Sequence, residues 1–349
     1  MTNITILGID LAKNVFELCG LGVNGEVVYT RSVKRKDFFR VVCQLDVKTI
    51  AMEACGSAHH WHREFTALGM EVKLLHPHYV KPFVKTQKND RNDACAIAVA
   101  ASQRTMTFVP PKTLAQQDIQ SLLRIRERLV NNRTQLINEM RGLLHEYGIS
   151  FRTGANHFKK EVVKLLDEGD ERLTEMMCRA LNRLYAEWLN MAEEIKAHEA
   201  ALTALFNQSE DCQRLYTMPG VGLISALAIV ALVGDIKHFR NSRHLSAYLG
   251  LVPQQNSSGG HQKLLGISKR GNTYVRTLLI HGARAILSCV DKFDDARSRW
   301  IKALRERCGF NKTCVAIANK QARIIWALLT RSESYNPNHQ SQWGMKNAH

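Results

Sequence analysis

The sequence predicts an α/β domain followed by an all-α remainder. Three observations predict it. Strand-length apolar runs alternate with short helical patterns over residues 1–112. Leucines recur at heptad spacing over 113–210. A solidly apolar helix then opens a basic, acid-poor stretch over 211–330.

In residues 1–112, Ile4–Asp10, Val15–Leu21 and the segment from Gly25 to Tyr29 read as three strands joined in a meander by short turns. A short helix near Asp37–Leu45 follows, then strand Thr49–Glu53, helix His59–Leu68 and strand Val72–Leu75. A helix that Asp90 and Asp93 open runs on to Gln103, and Pro110-Pro111 marks the domain boundary. In residues 113–210, Leu122, Leu129, Leu136 and Leu143 fall seven apart. A later run, Leu181, Leu184, Trp188, Met191, Ile195, His198, Leu202 and Leu205, keeps 3-4-3-4 spacing with one polar exception. With a glycine-containing connector near 148–154, this predicts either a long antiparallel hairpin or a dimerising coiled coil. Residues 211–330 open with Met218-Pro219-Gly220-Val221-Gly222 before the apolar helix Leu223–Val233. Gly220 and Gly222 are candidates for phosphate contact through exposed amides at that helix start. A Ser-, Gly- and Gln-rich segment, Pro253–Gln262, reads as a loop. Asn272–Leu287 reads as a helix carrying Arg276 and Arg284, and residues 331–349 as a polar, disordered tail.

The chain has 349 residues and a formal charge of +16. Residues 1–112 carry 15 basic and 10 acidic side chains, 113–210 carry 13 and 15, and 211–349 carry 20 and 7. Between Asp235 and Asp291 there is no Asp or Glu and there are eight Lys or Arg. Such a balance points to a polyanionic partner, nucleic acid first, with the C-terminal third as the main phosphate-binding surface. The nine cysteines form no CxxC pair, which argues against structural zinc, and scattered reduced thiols fit a cytoplasmic protein. The paired histidines His59, His60, His62, His76 and His78 lack a third-ligand spacing. No leader pattern is visible, and the longest apolar run, Val221 to Gly234, is too short for a bilayer.

Four carboxylates are the candidate chemistry. Asp10 and Glu53 each end an apolar strand, and Asp90 and Asp93 lie three apart on one helix face. Singly, each has an ordinary reading as a turn or cap residue. Together they form a cluster whose mutual repulsion a divalent metal relieves, and an oxygen-only set suits Mg²⁺ or Mn²⁺. In a basic protein that combination suggests phosphodiester chemistry. Lys85, Lys88 and Arg91, beside the acidic pair, are candidate phosphate contacts. Lys263, Lys269, Arg270 and Arg276 are further candidates, and the first three flank Ser257 and Ser258 closely enough to stabilise a charged transition state.

Gly8-Ile9-Asp10, Met52-Glu53 and Asn89-Asp90-Arg91-Asn92-Asp93-Ala94 resemble the acidic motifs of the DEDD transposases of the insertion-sequence-110 family. Gly250-Leu251-Val252-Pro253, Ser257-Ser258-Gly259-Gly260 and Ile267-Ser268-Lys269-Arg270-Gly271-Asn272 resemble that family's C-terminal transposase domain, closest to the insertion-sequence-1111 branch. The resemblance implies a RuvC-like, ribonuclease-H-type fold for 1–112 and Mg²⁺ held by Asp10, Glu53, Asp90 and Asp93. It implies a serine nucleophile in 211–330 that forms a covalent phosphoserine–DNA intermediate. It also implies donor and target DNA, a structured noncoding bridge RNA as guide, and homodimers meeting in a tetramer. Counting back from Lys269 favours Ser257 as nucleophile, while spacing from Pro253 also fits Ser258. Two other readings fit the residues. One is a RuvC-type structure-selective endonuclease that uses metal-activated water; the other is an architectural nucleic-acid-binding protein with a degenerate site. An actin-like ATPase lacks support, because no glycine-rich phosphate loop occurs in the first two thirds.

Overall fold

Five strands make the N-terminal sheet, in the order β3-β2-β1-β4-β5. β1 (Ile4–Leu11), β2 (Val15–Leu21) and β3 (Val27–Lys34) form an antiparallel meander. β4 (Val47–Glu53) runs parallel to β1, and β5 (Glu71–Leu75) parallel to β4. The computed structural model describes residues 3–85 and 89–337, and the chain divides into two units, Met1–Thr113 and Leu114–His349.

The period of two along each strand sorts side chains between the two faces of the sheet. Leu7, Ile9, Phe16, Leu18, Ile50 and Met52 point to one face, where Phe38 and Val42 of α1 (Arg35–Cys43) and Trp61 and Phe65 of α2 (Ala58–Ala67) close a core. Phe38 meets Trp61 edge-on at 4.7 Å between ring centroids, a favoured aromatic geometry. Ile6 and Ala51 point to the other face, beneath α4 (Asp90–Ala101), with the short α3 (Pro77–Val80) beside it. Helix α4 is alanine-rich, so its backbone lies close to the sheet. Cys95 of α4 is joined to Cys19 of β2 as a disulfide, with the two Cα atoms 5.1 Å apart. This departs from the expectation of reduced thiols throughout. The pairing joins residues 76 apart in sequence and arises from helix-on-sheet packing, which no local spacing encodes.

The second unit contains α5 (Leu114–His145), α6 (Ala155–Glu168), α7 (Glu175–Asn207), α8 (Glu210–Tyr216), α9 (Leu223–Val233) and α10 (Ser242–Tyr248). A two-stranded hairpin of β6 (Pro253–Gln255) and β7 (Leu264–Ile267) follows, then α11 (Thr273–Cys289), α12 (Ala296–Cys308) and α13 (Phe310–Arg331). The heptad residues Leu181, Trp188, Ile195 and Leu202 are the buried positions of α7. They pack inside the protomer. Leu202 shares a core with Leu123 of α5, while Leu181 and Trp188 share another with Leu136 to Leu144, so α5 and α7 run antiparallel. Of the two arrangements the heptads allow, the structure has the hairpin. It also adds α6, whose Phe158 and Val162 fill the space at the hairpin's far end. Both long helices pack on α9, so this helical stretch lies in the same unit as residues 211–330. Helix α9 is apolar on every side and mostly buried, as expected for a central helix.

Two further expectations change. Pro253–Gln262 is in large part a strand and turn, not an irregular loop. The start of the tail is also held: Tyr335 packs on the core of this unit, its N–H donates to Thr217 Oγ1 at 2.9 Å, and its hydroxyl accepts from Arg297. Residues 338–349 of the tail lie outside the described residues. Among the described residues, no helix is long and apolar enough to cross a membrane.

Candidate active site

Strand periodicity decides where the acids go. Asp10 follows Ile6 and Gly8 on the α4 face of β1, and Glu53 follows Ala51 on the same face of β4. Asp10 stands opposite Glu17 of β2 in the antiparallel register. The other two acids arrive from above, on the first turn of α4. Asn89 caps that helix, its side-chain oxygen accepting from the Asn92 N–H at 2.8 Å. Asp90 and Asp93 thus sit in the first turn, at the positive end of the helix dipole. Gly8 allows the approach, since a Cβ there would collide with the Ala94 carbonyl and the Ala98 side chain.

The carboxylates of Asp10, Asp90 and Asp93 offer oxygens that all lie within 4.8 Å of one another. Glu53 is outside that triad but near enough to act on Asp10 electrostatically. Burial, then repulsion from Asp93, Asp90, Glu53 and Glu17 in that order, pushes the Asp10 carboxyl up from 3.8 to about 6. The Cys55 thiol lies in the same field: burial, then Glu53 and Asp10, push it up. Only oxygen ligands converge, in a shell that suits a small hard divalent cation. The donor chemistry fits a metal: the oxygens of Asp10, Asp90 and Asp93 are close enough together to hold one, and Glu53 of the expected four stands nearby. Gly8, Asn89, Glu17 and Cys55 were not singled out from the sequence. A glycine inside a strand and an Asn one residue ahead of an acidic helix start were the available signals.

Lys85 and Arg91 are exposed beside the acids, with Asn92 Nδ2 donating to the Lys85 carbonyl. Lys88 lies outside the described residues.

In the second unit the serines sit at the tip of the β6–β7 hairpin. Ser258 and His261 close a two-residue turn in which Gly259 and Gly260 both have positive φ, 56° and 79°, the hand that hairpins prefer. Ser257 Oγ accepts from the Lys263 N–H at 3.1 Å and from Gln255 Nε2 at 3.0 Å. Its own proton is thereby left to point elsewhere. Lys263, Lys269 and Arg270 are exposed around the hairpin.

Two of the expected nucleic-acid contacts, Arg276 and Gly220, lie in packed surroundings, and a third, Gly222, stands open. Arg276 is 7% exposed; its guanidinium donates to the carbonyls of Leu249 and Arg270 and to Thr273 Oγ1. It braces the base of the hairpin and faces no solvent. Gly220, at φ 82°, is a packing residue: a Cβ there would meet Gln321 Nε2 at 2.8 Å and the Gly282 carbonyl at 2.8 Å. Gly222 does occupy the N-cap of α9 with open space around its Cα.

An oxygen-ligand acid cluster on the α/β unit of a basic chain is compatible with a nucleic-acid-processing enzyme. Comparison with known proteins gives the family. A DEDD transposase model of the IS110 type matches residues 7–149, which include all four acids. A model described as transposase IS116/IS110/IS902 family matches residues 212–298, which include both serines. The chain is 55% identical over 335 residues to the transposase for insertion sequence element IS1111A of Coxiella burnetii, covering 96% of this chain and 92% of that one. It is 46% identical to a probable family 20 transposase of Pseudomonas aeruginosa, covering 96% and 99%. It is 36% identical to the transposase for insertion sequence element IS1328 of Yersinia enterocolitica, covering 96% and 100%. The chain belongs to the IS110 family of insertion-sequence transposases, with its likeness to the IS1111A protein placing it in the IS1111 branch.

Proposed function

We propose that the chain exchanges DNA strands by a serine-nucleophile mechanism that depends on Mg²⁺ held by the acid cluster, with Mn²⁺ as a substitute. The observation that carries this reading is the convergence of Asp10, Asp90 and Asp93 within 4.8 Å together with the raised Asp10 carboxyl. A RuvC-like first domain fits the strand order and the acid positions. When bound, the metal neutralises the acids and polarises a phosphoryl oxygen as a Lewis acid.

The chain's residues do the rest. Two N–H groups donate to Ser257 Oγ, from Lys263 and Gln255, and hydrogen bonds to the developing alkoxide lower its cost. This supports Ser257 as the nucleophile. Ser257 loses its proton, Oγ bonds to the scissile phosphorus, and the bond from phosphorus to one deoxyribose oxygen breaks. That oxygen leaves as a protonated hydroxyl. Attack by a hydroxyl of another strand reverses the sequence and frees Ser257, so the phosphodiester count is unchanged and no nucleotide cofactor is consumed. The cations Lys263, Lys269 and Arg270 hold the phosphate charge, and Lys85 and Arg91 hold backbone beside the acids. We further propose donor and target DNA as substrates, an element-encoded structured RNA as guide, and dimers pairing into a tetramer on the nucleoid.

A nicked suicide substrate tests the mechanism. Wild-type protein should become covalently attached to DNA, with the adduct in the peptide holding Ser257, and Asp10→Asn and Ser257→Ala should each abolish it. An adduct at Ser258 would move the nucleophile by one residue. Efficient cleavage by a variant lacking both serines would make water the nucleophile and the protein a RuvC-type endonuclease.

A further inference from the structure

Three cations converge on the outer face of α12 and α13 without an acid to balance them. Lys320 and Arg323 lie three apart on α13, hence on one helix face. Lys320 Nζ sits 4.2 Å from the centroid of the Trp300 ring on α12. Arg297, one turn before Trp300, lies over the Tyr335 ring at 5.8 Å and donates to its hydroxyl at 3.4 Å. Neighbouring arginines are neutralised, Arg299 by Asp294 and Arg305 by Asp291. Among the described residues, none of Arg297, Lys320 and Arg323 pairs with an acid. Burial, then the fields of Arg297 and Arg323, push the Lys320 ammonium down from its ordinary value, as expected where positive charge is left uncompensated.

This cluster is tied to the serine hairpin. Asn319, next to Lys320, donates its side-chain amide to the Leu251 carbonyl at 3.1 Å, and β6 begins two residues later at Pro253. Lys320 therefore stands on a helix that is fastened to the chain just ahead of the hairpin.

We propose that Arg297, Lys320 and Arg323 form a phosphate subsite that grips one backbone phosphodiester of bound nucleic acid and positions the strand relative to the β6–β7 hairpin. The inference rests on the nucleic-acid-processing reading and adds a contact apart from the serine and its flanking cations. A phosphodiester supplies the missing negative charge, its oxygens accept from the guanidinium forks and the ammonium, and Trp300 and Tyr335 fix the cations from behind.

The test is the salt dependence of affinity for full-length protein, with two fluorescent probes, a short duplex DNA and a folded RNA hairpin. Wild-type protein should show a steep fall of log affinity with log salt. Lys320→Gln and Arg323→Gln should each flatten the slope by about one against the probe that uses the subsite. Lys320→Arg should restore it, and Arg299→Gln, already neutralised by Asp294, should leave it unchanged. The probe whose slope falls identifies the strand as DNA or RNA. If wild-type binding is steep and both Gln variants keep its slope, the subsite is overturned while the enzyme reading stands. If wild-type protein binds neither probe, the strand-exchange reading proposed above falls and takes the subsite with it, while the family membership stands.

Discussion

Gly8 of β1 lies directly beneath Ala94 of α4, so close that a β-carbon on Gly8 would overlap the Ala94 carbonyl oxygen and stand 2.7 Å from the Ala98 nitrogen. Ala94 follows Asp93, and Gly8 precedes Asp10 by two residues. The separation of the acids is thus set by the absence of one methyl group.

Gly8→Ala should push α4 off the sheet. Overpacking of this kind costs about 1–3 kcal/mol. The variant should melt earlier and, with Asp90 and Asp93 drawn away from Asp10, bind Mn²⁺ several-fold more weakly by titration calorimetry. Unchanged Mn²⁺ affinity in a destabilised variant would show that the acids do not depend on this contact.

Asp10 predicts a pH effect in metal-free protein. Its folded-state value, about 6, exceeds the ordinary 3.8, so the native state holds the proton more tightly than the unfolded chain. The associated stability is present below pH 3.8 and is lost as pH rises through about 6. Asp10→Asn should remove that dependence and raise the melting temperature at neutral pH by about 2 °C. Divalent metal should stabilise wild-type protein above pH 6 and the variant much less. Calorimetric scans across pH, with and without Mg²⁺, measure both effects.

Arg276 and Lys263 should separate stability from binding. Arg276→Ala leaves the Leu249 and Arg270 carbonyls without their donor in a buried place and should cost about 2–3 kcal/mol by denaturant titration. Lys263→Ala, at an exposed position, should leave stability within about 0.5 kcal/mol and weaken DNA binding. Equal stability of the two variants would contradict the bracing role of Arg276.

Ile195 is 4% exposed between α5 and α7. Ile195→Ala should destabilise the protein by about 2–5 kcal/mol with no change of mass in light scattering. A shift to a smaller species would mean that this face also contacts another copy.

Much of the fold is legible because strand and helix periods differ. Val15–Leu21 and Leu223–Val233 coincide with their elements, and the same alternation that marks β1 places Asp10 on the face of Gly8. What stayed hidden depends on contacts between distant segments. In the β6–β7 hairpin, β6 is the polar Pro253–Gln255 and β7 is only four residues, Leu264–Ile267, too short for alternation to show, and Gly259-Gly260 looks alike in a turn and in a flexible loop. Arg276 reads as a surface cation because buried arginines are rare, and only the carbonyls meeting at Leu249 and Arg270 explain it. Helix α6 hides in a stretch whose Lys and Asp content masks the Phe158 and Val162 stripe. The Cys19–Cys95 pair has no spacing that could reveal it.

The α5–α7 hairpin joins two separate cores. Leu123 and Leu202 belong to the one around α9, whereas Leu136 to Leu144, Phe158, Leu181 and Trp188 make up the other. Between them lie Leu129 and Ile195, with Arg126 Nε donating to Glu199 at 2.8 Å. Such a neck couples the two cores weakly, so the far end is expected to melt as a unit of its own in hydrogen exchange. Proteolytic nicking near Gly154 or Gly169 would then shed the tip's order while the core that carries the serine hairpin keeps its fold.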